Sequence, residues 1–531
     1  MLAKLLRSVL FLAAMALPAA AFAQDLPAWD KVPLAIGKEQ PDLVLTGTVD
    51  RSSYQRNLAV PFDVPKGVER IGVELTYTRP DGKTVINLGL FDGERFRGWS
   101  GSNKHAVVID ENNATPSFTP GPIGGRRWAL DLGVSYIGEG VTSTYTARIW
   151  FWRKGDRPAV STFSPEPLVR GTRWYRGDLH LHTGESDGFC DSRRGRSVPC
   201  PVFRTVDAAL AARLDFIAVT DHNNVAHYNA LRELQPYYDD ILLIPGREMT
   251  TAQGHFNIFG TTSYVDYRLG ERAMPDMATM IRAAKAAGAI VSINHPSSPS
   301  DFRCRGCGWT APAATIGEVD AIEAMNAGKL FAQIGGGDPM GDFDYWEKAV
   351  AQGRRVTAVG GSDNHDTQLG RLGVGFPTTV VRASELSERA ILDGIQAGHV
   401  WIDLTGKPGR SFDLVAASPR FTSTIGDDVA LREGEALTLK LTIGGSAGGE
   451  LVGLVDGHVV PELSVARLES GGASLSFVFP GDGHRHWIRF EVREGGKRAI
   501  LTNPVYVNFG SPPAKNRMEN GPESSARALA H

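Results

Sequence analysis

Between about Asp42 and Trp152 hydrophobic and polar positions alternate in short runs, "LVLTGTV", "RIGVELTYT", "TVINLGLFD" and "TYTARIWFW", broken by Gly, Pro, Asn and Asp. Period-2 alternation between turn residues predicts an antiparallel β-sandwich over residues 24–153. A Pro-rich, charged stretch over 154–172 reads as a linker. From 173 to 405 the pattern changes: apolar runs such as "LDFIAVT", "ILLIP", "GAIVSINHP", "VDAIEAM" and "RVTAVGGSD" alternate with Ala-rich stretches of helical period, "TVDAALAAR" and "MATMIRAAKAAG". Strand-helix repetition predicts an α/β domain built on a parallel sheet or barrel. Alternation returns over 410–510 in "ALTLKLTIGG", "ASLSFVFPG" and "HWIRFEVRE", which predicts a smaller, Ig-like β-sandwich. Residues 511–531 lack apolar periodicity and read as a disordered tail.

The length of 531 residues exceeds one ordinary domain, and the hydrophobic fraction of 42% is that of globular proteins. Lys and Arg number 56 against 59 Asp and Glu, a net charge of -3, so there is no overall attraction to nucleic acid or anionic lipid. The opening "MLAKLLRSVLFLAAMALPAAAFAQ" has basic residues, a short apolar run, Pro18 and Ala21-Phe22-Ala23, the pattern of a signal peptide over 1–23. The run is too short for a membrane anchor, so no membrane span is expected after its removal. The expected location is periplasmic or secreted. Four cysteines, Cys190, Cys200, Cys304 and Cys307, suit disulfides in that compartment better than a zinc knot.

The candidate chemistry lies in the central region, at the C-terminal ends of the expected strands, where α/β folds place their sites. His180 and His182 in "DLHLHTGESDG" stand two apart and project from one strand face, with Asp187 in the turn that follows. "FIAVTDHNN" ends in Asp221-His222, "LLIPGREMTT" delivers Glu248, "SINHPS" carries Asn294-His295, and "VGGSDNHD" closes with Asp363 and His365. Singly each is as readily a capped turn or a core residue. Together, so many ligand-type groups at strand ends are costly to bury unless cations compensate them. Mixed imidazole and carboxylate donors suit Zn, Mn or Fe, and there are enough of them for two or three divalent ions.

"DLHLHTGESDG", "AVTDHNN", "GREM", "NHP" and "SDNH", in this order, resemble the motif series of the PHP (polymerase and histidinol phosphatase) superfamily. The resemblance covers roughly Tyr175 to Asp403. It implies a distorted (β/α)7 barrel, flanked here by N-terminal and C-terminal β-sandwich domains. The leader, the flanking β regions and "LTNPVYV" are further similar to the carbaryl-hydrolase-type (CehA/McbA-like) branch. Carried over position by position, the resemblance implies His180, His182, Asp187, His222, Glu248, His295, Asp363 and His365 as metal ligands, with Glu248 bridging two ions. His255 in "TAQGHFNIFG" resembles a further ligand of some members. Glu248, Asp363 and His255 are the candidate catalytic groups. Glu323 and Asn326 in "VDAIEAMNAG" match a segment near the family's pocket, which implies that they support the ligands or touch substrate; strand-end capping is the plainer alternative.

Paired divalent ions lower the pKa of bound water and polarise the bond under attack, so no protein nucleophile is needed. None is evident, since there is no G-x-S-x-G, and neither a P-loop nor a dinucleotide fingerprint occurs. Two loops after site-bearing strands, "GFCDSRRGRSVPC" and "SSPSDFRCRGCGW", carry Arg193, Arg194, Arg196, Arg303 and Arg305. With Arg371 they would form a basic rim that favours an anionic, phosphoryl substrate. An ordinary solvated loop face is the plainer alternative. Arg194, Arg303, Arg371 and Asn326 are thus the candidate substrate contacts. The cysteines fall in the same two loops, bonded within each loop or across them. The expected activity is that of an exported metal-dependent phosphoesterase acting on a small, anionic ester. One alternative is a carbamate or carboxylic ester hydrolase; another is a metal-stabilised module that binds a surface polymer without catalysis. No nucleic-acid partner is expected.

Overall fold

The structure, a computed structural model, describes residues 40–510 except 94, 103, 157–161, 165, 300–305, 328–340, 369–372 and 470–471. The leader and the C-terminal tail therefore lie outside the described residues, as do Cys304, Arg303, Arg305 and Arg371. Among the described residues no helix is long and apolar enough to cross a membrane.

The N-terminal region forms two four-stranded antiparallel sheets. One runs Leu43–Val49, Ser143–Arg153, Val68–Tyr77, Ala106–Asp110 in spatial order, and the other Arg56–Val64, Arg126–Ile137, Thr84–Asp92, Arg95–Trp99. Their inward positions, among them Ile71, Leu75, Leu88, Leu90, Leu130 and Ile149, are fully buried in one shared core. That is how a sandwich uses period-2 alternation.

The central region contains strands β1 (Val169–Asp178), β2 (Phe216–Val219), β3 (Leu242–Thr251), β4 (Gly254–Phe259), β5 (Ile290–Ile293), β6 (Ala321–Asn326), β7 (Thr357–Gly361), β8 (Thr378–Leu386) and β9 (Val400–Asp403). Helices α1 (Val202–Ala211), α2 (His227–Leu234), α3 (Met277–Ala286), α4 (Gly341–Ala351) and α5 (Glu388–Ala397) punctuate them. α3 shows why the Ala-rich runs become helices. Asp276 caps it by accepting from the Thr279 N–H at 2.7 Å, and Met277, Met280, Ile281 and Ala284 form its buried stripe.

The ladder order is β7-β6-β5-β4-β3-β2-β1-β8-β9. It is mixed rather than wholly parallel. β1–β2–β3 and β5–β6–β7 are parallel, but β4 is antiparallel to β3 and β5, and β8 is antiparallel to β1 and β9. The tight Thr251–Gly254 connection forces the first reversal, because two strands joined so closely can only form a hairpin. The sheet rolls until its ends meet: the His182 N–H donates to Asn364 O at 3.0 Å, and Gly360 and Thr379 exchange two hydrogen bonds between β7 and β8.

The C-terminal strands also form two layers, but one layer is not separate. Lys497–Thr502 pairs antiparallel with β9, so the central sheet continues into the C-terminal region as one 15-stranded sheet. The second layer is a four-stranded antiparallel sheet of Phe421–Ser423, Ser411–Ser418, Ala436–Gly444 and Ala473–Pro480.

Candidate metal centre

Six strands deliver the expected ligands to one place. His180 and His182 follow β1, His222 follows β2, Glu248 lies in β3, His255 in β4, His295 just past β5, and Asp363 and His365 just past β7. Glu248 is the hub. Its Oε1 lies 3.3 Å from each of His180 Nε2, His255 Nδ1 and His295 Nε2, and its Oε2 lies 2.8 Å from His222 Nδ1 and 3.6 Å from His182 Nε2. Asp363 Oδ1 stands 3.2 Å from both His180 Nε2 and His182 Nε2. At the outer side Asp187 Oδ1 is 3.3 Å from His365 Nε2 and 3.7 Å from His222 Nε2.

The centre is layered by depth. His180, His182, Glu248, His255 and His295 are buried, whereas Asp187 has a side chain 59% exposed, with His222 and His365 at 26% and 32%. Within this set, four donors from His182, Asp187, His222 and His365 converge on the open side. Deeper groups are formed by His180, His182 and Glu248, and by His180, His295 and Asp363. The sulfur of Cys307 also approaches His255 and His295, but Cys307 is disulfide-bonded and presents no thiolate there.

These residues fit divalent ions on two counts. Mixed imidazole and carboxylate donors match zinc-type or manganese-type coordination. In addition, two buried imidazole nitrogens, His182 Nδ1 and His255 Nε2, make no hydrogen bond. A buried polar atom without a partner is destabilising unless something else satisfies it.

The electrostatics of the centre favour positive charge. Burial opposes charging His180, yet the carboxylates of Asp363, Glu323 and Glu248 hold its pKa well above the ordinary value. Burial dominates at His182, which falls to about 4. His295 and His365 rise to about 9, burial being outweighed mainly by Glu248 and by Asp187 respectively. Burial pushes Glu248 and Asp363 up, but His180 and its neighbours hold both well below the ordinary carboxylate range.

Neighbours fix the ligands' orientations. Glu323 Oε1 sits 3.0 Å from His180 Nδ1, while its Oε2 accepts from the His295 N–H at 2.8 Å. Such a carboxylate-histidine pair sets the tautomer and leaves the other nitrogen for a metal. Asn326 donates to Glu323 at 3.1 Å and to Asp363 Oδ2 at 3.3 Å, so its amide serves the ligand carboxylate. Asn294 donates to Glu248 Oε1 at 2.9 Å. Two carboxylates had no signal in periodicity. Asp178 accepts from the backbone N–H groups of His180, Ser362 and Gly375, and Asp221 accepts from Thr183 and Ser186, holding the turn that carries Asp187. The one available clue was position, since each directly adjoins a ligand motif. Gly361 is required by space: a Cβ there would lie 2.1 Å from Glu323 Oε1 and 2.6 Å from His180 Cβ.

The arginine rim is only partly visible. Arg193, Arg194 and Arg196 are exposed around the turn of a hairpin, Phe189–Asp191 with Ser197–Pro199, closed by a Cys190–Cys200 disulfide. The within-loop pairing is thus the one adopted. The hairpin is anchored to the centre, for the Phe189 N–H donates to His365 O at 2.8 Å and the Cys200 N–H to Gly188 O at 3.0 Å. Arg303 and Arg371 lie outside the described residues.

No family model and no curated protein matches the chain. Among solved structures, it is similar to a two-domain protein from Bacteroides vulgatus containing a predicted PHP-like metal-dependent phosphoesterase. The identity is 19% and the TM-score 0.36, covering 66% of this chain and 99% of that one. A candidate metal-dependent phosphoesterase from Bifidobacterium adolescentis matches at 16% identity and TM-score 0.28, covering 48% of this chain and all of that one. Likenesses this distant carry no argument about the chain, whose site rests on its own geometry.

Proposed function

We propose that the chain is a metal-dependent phosphoesterase of the PHP type, built on a distorted (β/α)7 barrel and hydrolysing a small anionic ester. The observation that supports this best is the convergence of eight imidazole and carboxylate side chains around Glu248, open to solvent on the side of Asp187, His222 and His365. Glu248 would be shared between ions, with His180, His182, His255 and His295 in the buried part, Asp363 at its edge and Asp187, His222 and His365 at the mouth. When bound, two or three divalent ions would supply Lewis acidity toward the ester and activate the attacking water.

The chain's own part is orientation and access. Glu323 holds His180 in one tautomer, Asn326 and Asn294 hold the two central carboxylates, and burial keeps water from most of the ligand set. The half-exposed His365 and Asp187 border the opening, where a leaving group could depart and a proton be exchanged. Arg194 and its neighbours, on a hairpin tied to these same ligands, support a substrate bearing negative charge. The leader, the flanking β regions and "LTNPVYV" add the carbaryl-hydrolase branch as the expectation within the superfamily. The disulfide supports export to an oxidising compartment.

Metal-loaded protein assayed on p-nitrophenyl phosphate, bis(p-nitrophenyl) phosphate and 1-naphthyl esters tests the proposal. Phosphoester turnover that vanishes in His180→Ala and Asp363→Ala, with folding intact, is the expected result. Turnover of naphthyl esters alone would move the assignment to carbonyl chemistry. A single, tightly held ion with no turnover would leave only a structural metal.

A further inference from the structure

The N-terminal sandwich meets the central region through one sheet and its loops: Arg70 donates to Thr262, Ser263 to Glu69, and Asn112 to Thr262 O. The other sheet, Arg56–Val64, Arg126–Ile137, Thr84–Asp92 and Arg95–Trp99, turns its outer face away, and two irregularities place aromatic rings there. The register between Thr84–Asp92 and Arg95–Trp99 shifts, so that Phe96 and Trp99 both point outward, 54% and 49% exposed, while Arg97 between them is buried. Gly98 makes this possible, since its φ is +144° and a Cβ would collide with Ser117 O. A second shift beside Val85 leaves Tyr136 46% exposed, its ring edge-on to Tyr54.

Between these rings the face is floored by glycine and edged with hydrogen-bonding groups. A Cβ on Gly89 would lie 3.1 Å from Asp131 Oδ2 and 3.3 Å from Trp99 Cδ1, so the carboxylate and the indole flank a bare backbone. A Cβ on Gly133 would lie 3.5 Å from Asn87 Nδ2 and 3.7 Å from Asn57 Oδ1. Asn57 donates to both oxygens of Asp131 at 2.9 Å, fixing the carboxylate beside the platform.

Glycine inside a strand weakens it and often marks a bulge or the close approach of a ligand or of other protein groups. Exposed rings interleaved with a carboxylate and two amides match a pyranose chain. The C–H face of each sugar can lie on a ring, and its hydroxyls can donate to Asp131 and accept from Asn57 or Asn87. A protein partner would instead call for a continuous apolar core, which the polar edge interrupts. We propose that this face is a binding site for a neutral polysaccharide. Trp99 pairs with Gly89 and Tyr136 with Val85, so along the strands the platform spans roughly 13 Å at a rise of ~3.3 Å per residue and takes more than one sugar unit.

Native electrophoresis of the full chain through gels containing mixed-linkage β-glucan, xylan, galactomannan or pullulan tests this. At least one polysaccharide should retard the protein, and its hexasaccharide should compete far better than its monosaccharide. Trp99→Ala and Asp131→Ala should each weaken retardation by about tenfold or more, with melting temperature and p-nitrophenyl phosphate turnover unchanged. Three results would overturn the proposal: retardation by none of the four, retardation that persists in both variants, or a Trp99→Ala change that only converts a dimer to a monomer. The last would make the face a contact between copies of the chain.

Discussion

His180 shows how one side chain's environment sets the whole centre. Its Nδ1 faces Glu323 and its Nε2 faces Glu248 and Asp363, so the ring is held between carboxylates on both edges. Glu323→Gln keeps the shape but removes the charge that aligns the ring. Metal affinity should fall about 10- to 100-fold, read by competition with a chromogenic chelator; unchanged affinity would show that Glu323 is not needed for alignment. The histidine and carboxylate shifts also set a pH signature for the metal-free protein. His295 and His365 have pKa values raised from 6.5 to about 9, so their stabilisation is complete below about 6.5 and is lost as pH rises through about 9. Glu248 and Asp363 are depressed, so theirs is present above the ordinary 4.5 and 3.8 and is lost only in stronger acid. The chelated protein should therefore lose melting temperature between about pH 6.5 and pH 9.5. Metal-loaded protein should not, because the ions replace the protons that are leaving. Equal losses in the two forms would mean that these pairs do not hold the empty site together.

The disulfide hairpin and the strand ends show what the sequence could and could not reveal. Ligand motifs were legible because each sits at a turn after an apolar run, a place that local pattern identifies. The direction of β4 was not, since periodicity is identical for parallel and antiparallel strands; it followed from the shortness of the Thr251–Gly254 turn. The roles of Asp178 and Asp221 were not legible, because their partners, such as Ser362 and Gly375 for Asp178, are remote in sequence. The hairpin's arginines and cysteines were visible, but its attachment to His365 O and Gly188 O was not. That attachment predicts a local effect. Replacing Cys190 and Cys200 together by Ser should loosen Asp187 and His365 while leaving the buried ligands in place. One ion should then leave faster into chelator and the remainder at the original rate, as followed by stopped-flow with a metal dye. If every ion leaves faster, the hairpin supports the fold as a whole; if none does, it does not position these ligands.

Across the molecule, the C-terminal region shares a continuous sheet with the centre it adjoins. Lys497–Thr502 extends the central sheet from β9, and Asn503 donates to Ala358 O at 2.9 Å and Val400 O at 3.0 Å while accepting from the Ala358 N–H at 2.7 Å. One side chain thus joins β7 to β9, close to the strand that ends in Gly361 and leads to Asp363. Arg489, buried, pairs with Glu491 at 2.7 Å and with Glu347 of α4 at 2.6 Å, a second tie across the same boundary. Asn503→Ala would leave three buried backbone groups without these partners, at a cost of about 1–3 kcal/mol for each group that finds no substitute. Removing everything after residue 409 would also strip β9 of its pairing with Lys497–Thr502 and leave Glu347 without its arginine. The truncated chain should then fail to retain the metal complement of the full chain and should unfold without a cooperative transition, as measured by elemental analysis and calorimetry. Full metal content with a sharp transition would instead establish the central region as an independent domain, and the continuous sheet as a docking contact between two domains that fold separately.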